Sequence, residues 1–303
     1  MTDEQQPPPD ADQSADSAPD SAPDSAPDWA HSFGGVADAY DRGRPSYPKD
    51  ATTWLVGDDP ATVLELGAGT GKLTRVLVDQ GHDVHATDPD PAMLALLEAH
   101  LPGVRTAVAG AEEIPLADAS VDVVIAAQAF HWFDLDRALP EIARVLRPGG
   151  RICLLWNQRN EKIPWVRRLG AIIGTQEQLR DPAEALIFSE LFGFVEDSEF
   201  THWQTIDRRT IQDLVLSRSN VAVLDETGRA AKLAEVLAFY DDYGRGMDGM
   251  QLPYVTRCYR AHLLDRPTGA AEQGSSDDDA SPGTDGPAGP DSPDDDVLLI
   301  DFR

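Results

Sequence analysis

Glu65, Gly67, Gly69 and Gly71 stand at alternate positions in the run VLELGAGTGKL, residues 63–73. Glycines so spaced let the backbone take positive φ and let a ligand come close to the main chain. The chemistry on offer here is binding. Free N–H groups at the start of a following helix receive a polar or anionic group. Glu65 beside them would repel a pyrophosphate but could hold an ammonium or an ordered water. Asp88 lies about 20 residues further on, where an acid ending a second strand can accept both hydroxyls of a ribose. Asp88-Pro89 followed by Pro91 is also a helix start, so helix capping is the other reading of this acid. His131 stands among Phe130, Trp132 and Phe133. An imidazole can take a proton near neutral pH, which makes His131 the candidate general base. Its alternative role is positioning through aromatic stacking. Arg42, Arg44 and Arg159 could grip a carboxylate in two-pronged fashion. Tyr40, Tyr47, Trp132, Trp156 and Trp165 could wall a small-molecule site, or could be packing residues.

These residues need particular elements beneath them. Val63, Leu64 and Leu66 read as a short strand, and Leu73, Val76 and Leu77 as one face of a helix, with Gly81 stopping it. Residues 83–87 read as a second strand closing on Asp88, with Met93 and Leu94 in the helix after it. Residues 104–108 read as a third strand, followed by Gly110, Ala111 and Glu112. The near-continuous apolar run at 121–126 suits a central parallel strand covered on both faces. It leads into Gln128 and the aromatic run to Asp134, at the carboxyl edge where open α/β sheets bind ligands. A helix is expected over 135–146, a turn over 147–150, and a fifth strand over 151–156 that delivers Asn157 and Arg159 to the same edge. Ile163, Pro164 and Trp165 open a further helix. Residues 194–206 alternate like an antiparallel strand. Helices near 211–217 and 228–243 and a last strand over 251–263 complete the pattern. Upstream, Phe33, Val36, Ala37 and Tyr40 fit a helical face, residues 42–47 (RGRPSY) form a basic, aromatic turn, and a short helix follows over 50–56.

Composition narrows the function. The chain has 303 residues and a formal charge of −28, concentrated in its ends. Residues 1–28 hold eight acids, no Lys or Arg, and three SAPD repeats. Residues 265–303 hold eleven acids against Arg266 and Arg303. Neither stretch can bury enough apolar area to offset its ordering entropy, so both are expected to be disordered, flanking one domain over 29–264. The apolar island at 297–300 could dock as an edge strand or serve as a linear motif. No basic patch appears, which disfavours nucleic acid as a partner. No run of 18 apolar residues or secretory signal is present, so no membrane association is expected. Cys153 and Cys258 sit in apolar runs. They read as buried thiols of a reducing, cytoplasmic setting and not as a disulfide or metal site.

A dinucleotide site asks for G-x-G-x-x-G, whereas Lys72 occupies the place of the last glycine, and Glu65 is a second departure. The pattern E-x-G-x-G-x-G, with Asp88, Gly110 to Glu112, residues 121–134 and residues 147–150, resembles the class I S-adenosylmethionine (SAM)-dependent methyltransferases. The runs AQAFHWFD, WNQRNE and YDRGRPSYP are most similar to the small-molecule branch with ubiquinone/menaquinone-type and trans-aconitate-type enzymes. The resemblance covers about residues 32–263. It implies an α/β fold: a Rossmann-like seven-stranded, mostly parallel sheet with an antiparallel last strand and helices on both faces. It implies SAM as cofactor, held by Glu65, Gly67, Ala68, Gly69, Gly71, Asp88, Met93, Ala111, Glu112 and Gln128, with Ala111 and Glu112 beside the adenine. A solvent-facing Glu112 is the other reading. It implies a small methyl acceptor, an acid or a phenol, among Tyr40, Arg44, Tyr47, Phe130, Trp132, Asn157, Arg159 and Trp165. Two rival expectations are a SAM-binding regulator without catalysis and a nicotinamide oxidoreductase.

Overall fold

A computed structural model gives the fold, and the residues described are 41–174, 182–243 and 249–264. Both acidic ends, Tyr40 and the helical face before it, and the island at 297–300 lie outside these residues.

The chain alternates helix and strand from α1 (Lys49–Val56) to β5. Strand β1 (Thr62–Leu66) leads to α2 (Lys72–Asp79), β2 (Asp83–Asp88), α3 (Pro91–His100) and β3 (Arg105–Val108). Then follow β4 (Val121–Ala127), a 3-10 turn (Phe130–Trp132), α4 (Leu135–Val145) and β5 (Leu146–Arg159). The rest is α5 (Pro164–Ile173), α6 (Pro182–Phe188), β6 (Phe192–Ile206), α7 (Thr210–Leu216), α8 (Ser219–Ala222), α9 (Glu226–Tyr243) and β7 (Met250–Leu263). Seven strands form one sheet in the order β3-β2-β1-β4-β5-β7-β6. Strands β1 to β5 are mutually parallel, and β7 runs antiparallel to both of its neighbours. This is the expected Rossmann-like fold with a reversed last strand.

Period-two alternation sorts the core onto two faces. Val63, Val123, Ile125, Cys153, Leu155 and Cys258 pack with Leu55 of α1 and with Leu73 and Leu77 of α2. Leu64, Leu66, Val124, Ala126, Ile152, Leu154 and Trp156 pack on the other face with Leu139 and Ile142 of α4 and Leu186 of α6. Each fully buried leucine contributes about 1.5–3 kcal/mol. Glu65 has the parity of Val63 and so points into the α2 face. Helix α2 ends as Gly81 takes φ +89°, with Gly81 N–H bonded to Val78 O and His82 N–H to Leu77 O. This is a Schellman stop, which needs a left-handed residue.

Two boundaries differ from expectation. No turn separates α4 from β5, because the strand starts at Leu146 and runs through the Arg-Pro-Gly-Gly stretch, with a register shift opposite Val121 and Val123. Gly149 at φ +77° and the bulge supply the bend that the sequence suggested as a turn. The strand also carries on to Arg159, because residues 157–159 pair with β7 from Thr256 to Tyr254.

A third apolar cluster lies beyond the carboxyl end of β5. Val166, Leu169 and Ile173 of α5 pack with Ile211, Leu214 and Val215 of α7 and Val236 and Phe239 of α9. Ile206 ending β6 and Leu252 and Tyr254 opening β7 complete it. This helical layer builds up the side of the sheet edge next to β5.

Candidate functional site

The glycine turn follows β1 directly. Gly67, Gly69 and Gly71 all have positive φ, at +68°, +56° and +85°. A Cβ on Gly67 would stand 2.5 Å from the Ala129 Cβ, so close approach of the β4 loop requires glycine there. A Cβ on Gly69 would meet nothing within 4 Å. Among the described residues nothing blocks approach to the backbone on that side.

The two acids of the motif are buried beside this turn. Glu65 is 1% exposed, and the Thr74 hydroxyl of α2 donates to its Oε2 at 2.6 Å. Burial pushes its carboxyl up to about 8, with the Thr74 bond opposing and nearby Asp88 adding to the rise. Asp88 ends β2, and its two oxygens accept from Gly69 N–H at 2.8 Å and from Asp90 N–H at 2.9 Å. Burial also holds Asp88 above the usual carboxylate range. Capping of α3 falls to Asp90, whose Oδ1 accepts from Ala92 N–H at 2.8 Å. Asp88 instead ties the glycine turn to the end of β2, and its carboxylate oxygens still have lone pairs for a diol.

Met93 is buried in α3 and Ala111 is buried after β3. Glu112 is half-buried and is not a simple solvent-facing acid: its Oε1 accepts from Asp134 N–H at 2.9 Å. Gln128 has φ +60°, and its side-chain amide donates to Asn157 O at 3.0 Å. That bond joins the ends of β4 and β5. Ala68 is buried in the turn itself, with its N–H on Thr87 O at 2.9 Å.

At the aromatic run the residues divide. His131 and Trp132 are exposed, with ring centroids 4.3 Å apart. Phe130 is 4% exposed and packs edge-on against Phe133 and Trp156 in the core. Phe130 and Trp156 are thus packing residues and not open walls. Trp165 packs against the α5/α7/α9 cluster, and Tyr47 packs on the α1 face. Their bulky rings are held by apolar neighbours.

The arginines are engaged within the fold. Arg42 places Nε and a terminal nitrogen on the two oxygens of Asp213, at 2.9 and 3.1 Å, so its two-pronged grip falls on this carboxylate. Arg44 donates to the hydroxyl and carbonyl oxygens of Ser217, at 3.0 and 2.9 Å. Arg159 is 4% exposed and donates to Glu161 at 3.1 Å and to Gly174 O at 3.0 Å. Burial lowers its pKa. The sequence offered Arg42, Arg44 or Arg159 as a grip on a carboxylate, and in the structure each of them also pins loops. Asn157 is buried, accepts from Thr256 at 2.6 Å and donates to Ser46 O at 3.1 Å.

Sequence reasoning passed over Asp41, Thr70 and Thr74. The Thr70 hydroxyl donates to Asp41 at 3.0 Å, and Lys72 Nζ lies 3.8 Å from Asp41. Residues 41–46 thereby connect the glycine turn to α7 and β5. Gly43 lies so close to Asp213 that a Cβ would stand 2.4 Å from its backbone carbon. The inward parity of Glu65 and the position of Thr74 one turn into α2 carried a signal for their contact. Contacts from Asp41 carried none, since they join segments 29 residues apart. Among the described residues no His, Cys, Asp and Glu cluster could hold a metal ion, and no helix is long and apolar enough to cross a membrane.

Comparison with known proteins agrees with this architecture. Residues 64–154 match the methyltransferase domain family. An uncharacterised methyltransferase of Mycobacterium tuberculosis is 47% identical over 236 residues, 77% of this chain and 96% of the relative. A malonyl-[acyl-carrier protein] O-methyltransferase of Methylococcus capsulatus is 41% identical over 133 residues, 40% of this chain and 48% of that protein. A solved structure from Anaeromyxobacter dehalogenans, assigned to the type II methyltransferases, superposes with a TM-score of 0.52 at 29% identity, over 73% of this chain and 97% of that one. The chain belongs to the class I SAM-dependent methyltransferases, a family whose cofactor is S-adenosylmethionine.

Proposed function

We propose that the protein transfers a methyl group from SAM to a small acid or phenol. The observation that carries this reading is the glycine turn: no described residue crowds Gly69, and buried Glu65 and Asp88, bonded to the Gly69 N–H, accompany it. Glu65 suits an ammonium, Asp88 a ribose diol, and Met93 and Ala111 an apolar purine face. Bound there, SAM supplies a methyl already activated by a positive sulfur. The protein's own task is then to fix distance and direction, which contributes up to about 7–11 kcal/mol in favourable cases.

On the acceptor side, His131 and Trp132 stand exposed at the carboxyl end of β4, the central strand next to β1. A phenol or other hydroxyl acceptor loses its proton to the His131 imidazole as it reacts. A carboxylate acceptor arrives already charged and needs no base. The Methylococcus relative is named for O-methylation of a malonyl group, which favours an acid as acceptor. Arg44 and Asn157 shape the neighbouring edge through Ser217, Ser46 and Thr256.

Calorimetric titration with SAM and with NAD tests the cofactor side. Saturable one-to-one binding of SAM with no heat from NAD is expected. The converse result would move the chain to the oxidoreductase reading.

A further inference from the structure

We propose that Glu65 is a neutral carboxyl in the empty site and becomes an anion when the cofactor's ammonium seats beside it, so that cofactor binding releases a proton. The proposal rests on the SAM reading above and specifies the charge chemistry of that same site.

The geometry begins with burial. Glu65 lies at the end of β1, faces α2 and is 1% exposed. A carboxylate placed there without a cation loses its hydration, a cost it avoids by keeping its proton. Among the described residues, the groups facing it do not supply that cation. From α2 comes the neutral Thr74 hydroxyl at 2.6 Å. From β2 comes Asp88, a second acid, which opposes ionisation of Glu65. From β4 the register partner is Ile125, and the β2 partner is Ala86. Asp90 adjoins Asp88 and adds negative charge on that side. Of the cations of α2, Lys72 lies 3.8 Å from Asp41, and Arg75 is exposed.

Among the described residues, the Glu65 carboxyl thus faces a hydroxyl and a second acid. An ammonium arriving at the glycine turn supplies a positive charge, and the attraction pulls the Glu65 carboxyl back toward ionisation. The O–H bond of the carboxyl breaks, its electron pair stays on Glu65, and the proton passes to solvent. The shift of the empty site to about 8 sets the window. Near pH 7 most empty molecules hold the proton, so close to one proton leaves per ligand bound. Below the empty-site pKa, and while the loaded-site pKa remains lower still, affinity rises about tenfold for each unit of pH. The cofactor's own α-amino group titrates near 7.7–8.0, so the useful range ends at about pH 7.5.

The test is calorimetric titration of the full-length protein with S-adenosylhomocysteine, which carries the same ammonium. Running it at pH 7 in phosphate and in Tris, buffers of different ionisation enthalpy, counts protons. Release close to one proton per site is expected, with affinity about tenfold weaker at pH 6 than at pH 7. Glu65→Gln, checked for folding by its melting temperature, should bind with no proton release and with little pH dependence. The wild-type count needs no variant and stands by itself. Binding with no proton exchange would overturn the proposal and leave the SAM reading intact. Undiminished release in Glu65→Gln would overturn it too, by placing the proton on another group. No binding at any pH would overturn the SAM reading beneath it.

Discussion

Glu65 and Gly69 illustrate how much a single residue decides here. Gly69 has φ +56°, a conformation that side chains with a Cβ rarely adopt, and valine is among the least suited to it. Gly69→Val should abolish SAM binding by calorimetry, while the far-UV circular dichroism stays that of the wild type. Unchanged affinity would remove the turn from the site. Glu65 makes a stability prediction with a definite sign. Its carboxyl is raised from 4.5 to about 8 in the folded chain, so it stabilises the folded state relative to an ionised group at low pH. That contribution is fully present below about pH 4.5 and is lost as pH rises through about 8. Glu65→Gln has no proton to lose. It should therefore melt several degrees above the wild type at pH 8 in the absence of ligand, and the gap should close toward pH 5. A gap that widened toward low pH would contradict the assignment. Glycine spacing and the two acids were legible in the sequence because each has a local signature. The partners of Glu65 and Asp88 were less so. Thr74 is a common helix residue, and the bond from Gly69 to Asp88 exists only once β1 and β2 pair.

The elements were legible wherever periodicity was strong. The alternation in β6 and the apolar run of β4 gave their strands within a residue or two. The start of β5 was not, because proline and two glycines resemble a turn when the bulge opposite Val121 is unseen. The partners of the arginines were illegible for a related reason: guanidinium groups look available in a sequence, and only tertiary pairing shows Arg42 on Asp213. That contact also gives a test of the segment 41–46 as a connector. Arg42 is partly exposed while Asp213 is nearly buried, so the pair should contribute about 1 kcal/mol after screening. Asp213→Ala should lower the melting temperature by a few degrees. It should weaken SAM binding only modestly, since Asp41 still joins the glycine turn through Thr70 and Lys72. An unchanged melting temperature would show that the pair carries no structural weight.

At the scale of the molecule, the sheet gathers the glycine turn, both acids and the aromatic run on one edge. Strands β1, β2 and β4 bring the glycine turn, Asp88 and His131 there, and β5 brings Asn157. The charge of −28 is concentrated in ends whose composition offers no core. Removing residues 1–28 should leave thermal stability and SAM affinity almost unchanged, and a drop of several degrees would show that this stretch packs on the domain. The acceptor was the least legible feature at any scale. Aromatic side chains that read as walls in the sequence, Phe130 and Trp156 among them, are held in the core. The central claim is methyl transfer to a small acid or phenol. The direct measurement is incubation of the full-length protein with methyl-labelled SAM and a panel of small carboxylic acids and phenols, followed by mass detection of labelled product. The expected result is one labelled methyl on at least one member of the panel, matched by an equal amount of S-adenosylhomocysteine. Tight SAM binding with no labelled product across the panel would contradict the account and favour a cofactor-binding protein without this activity.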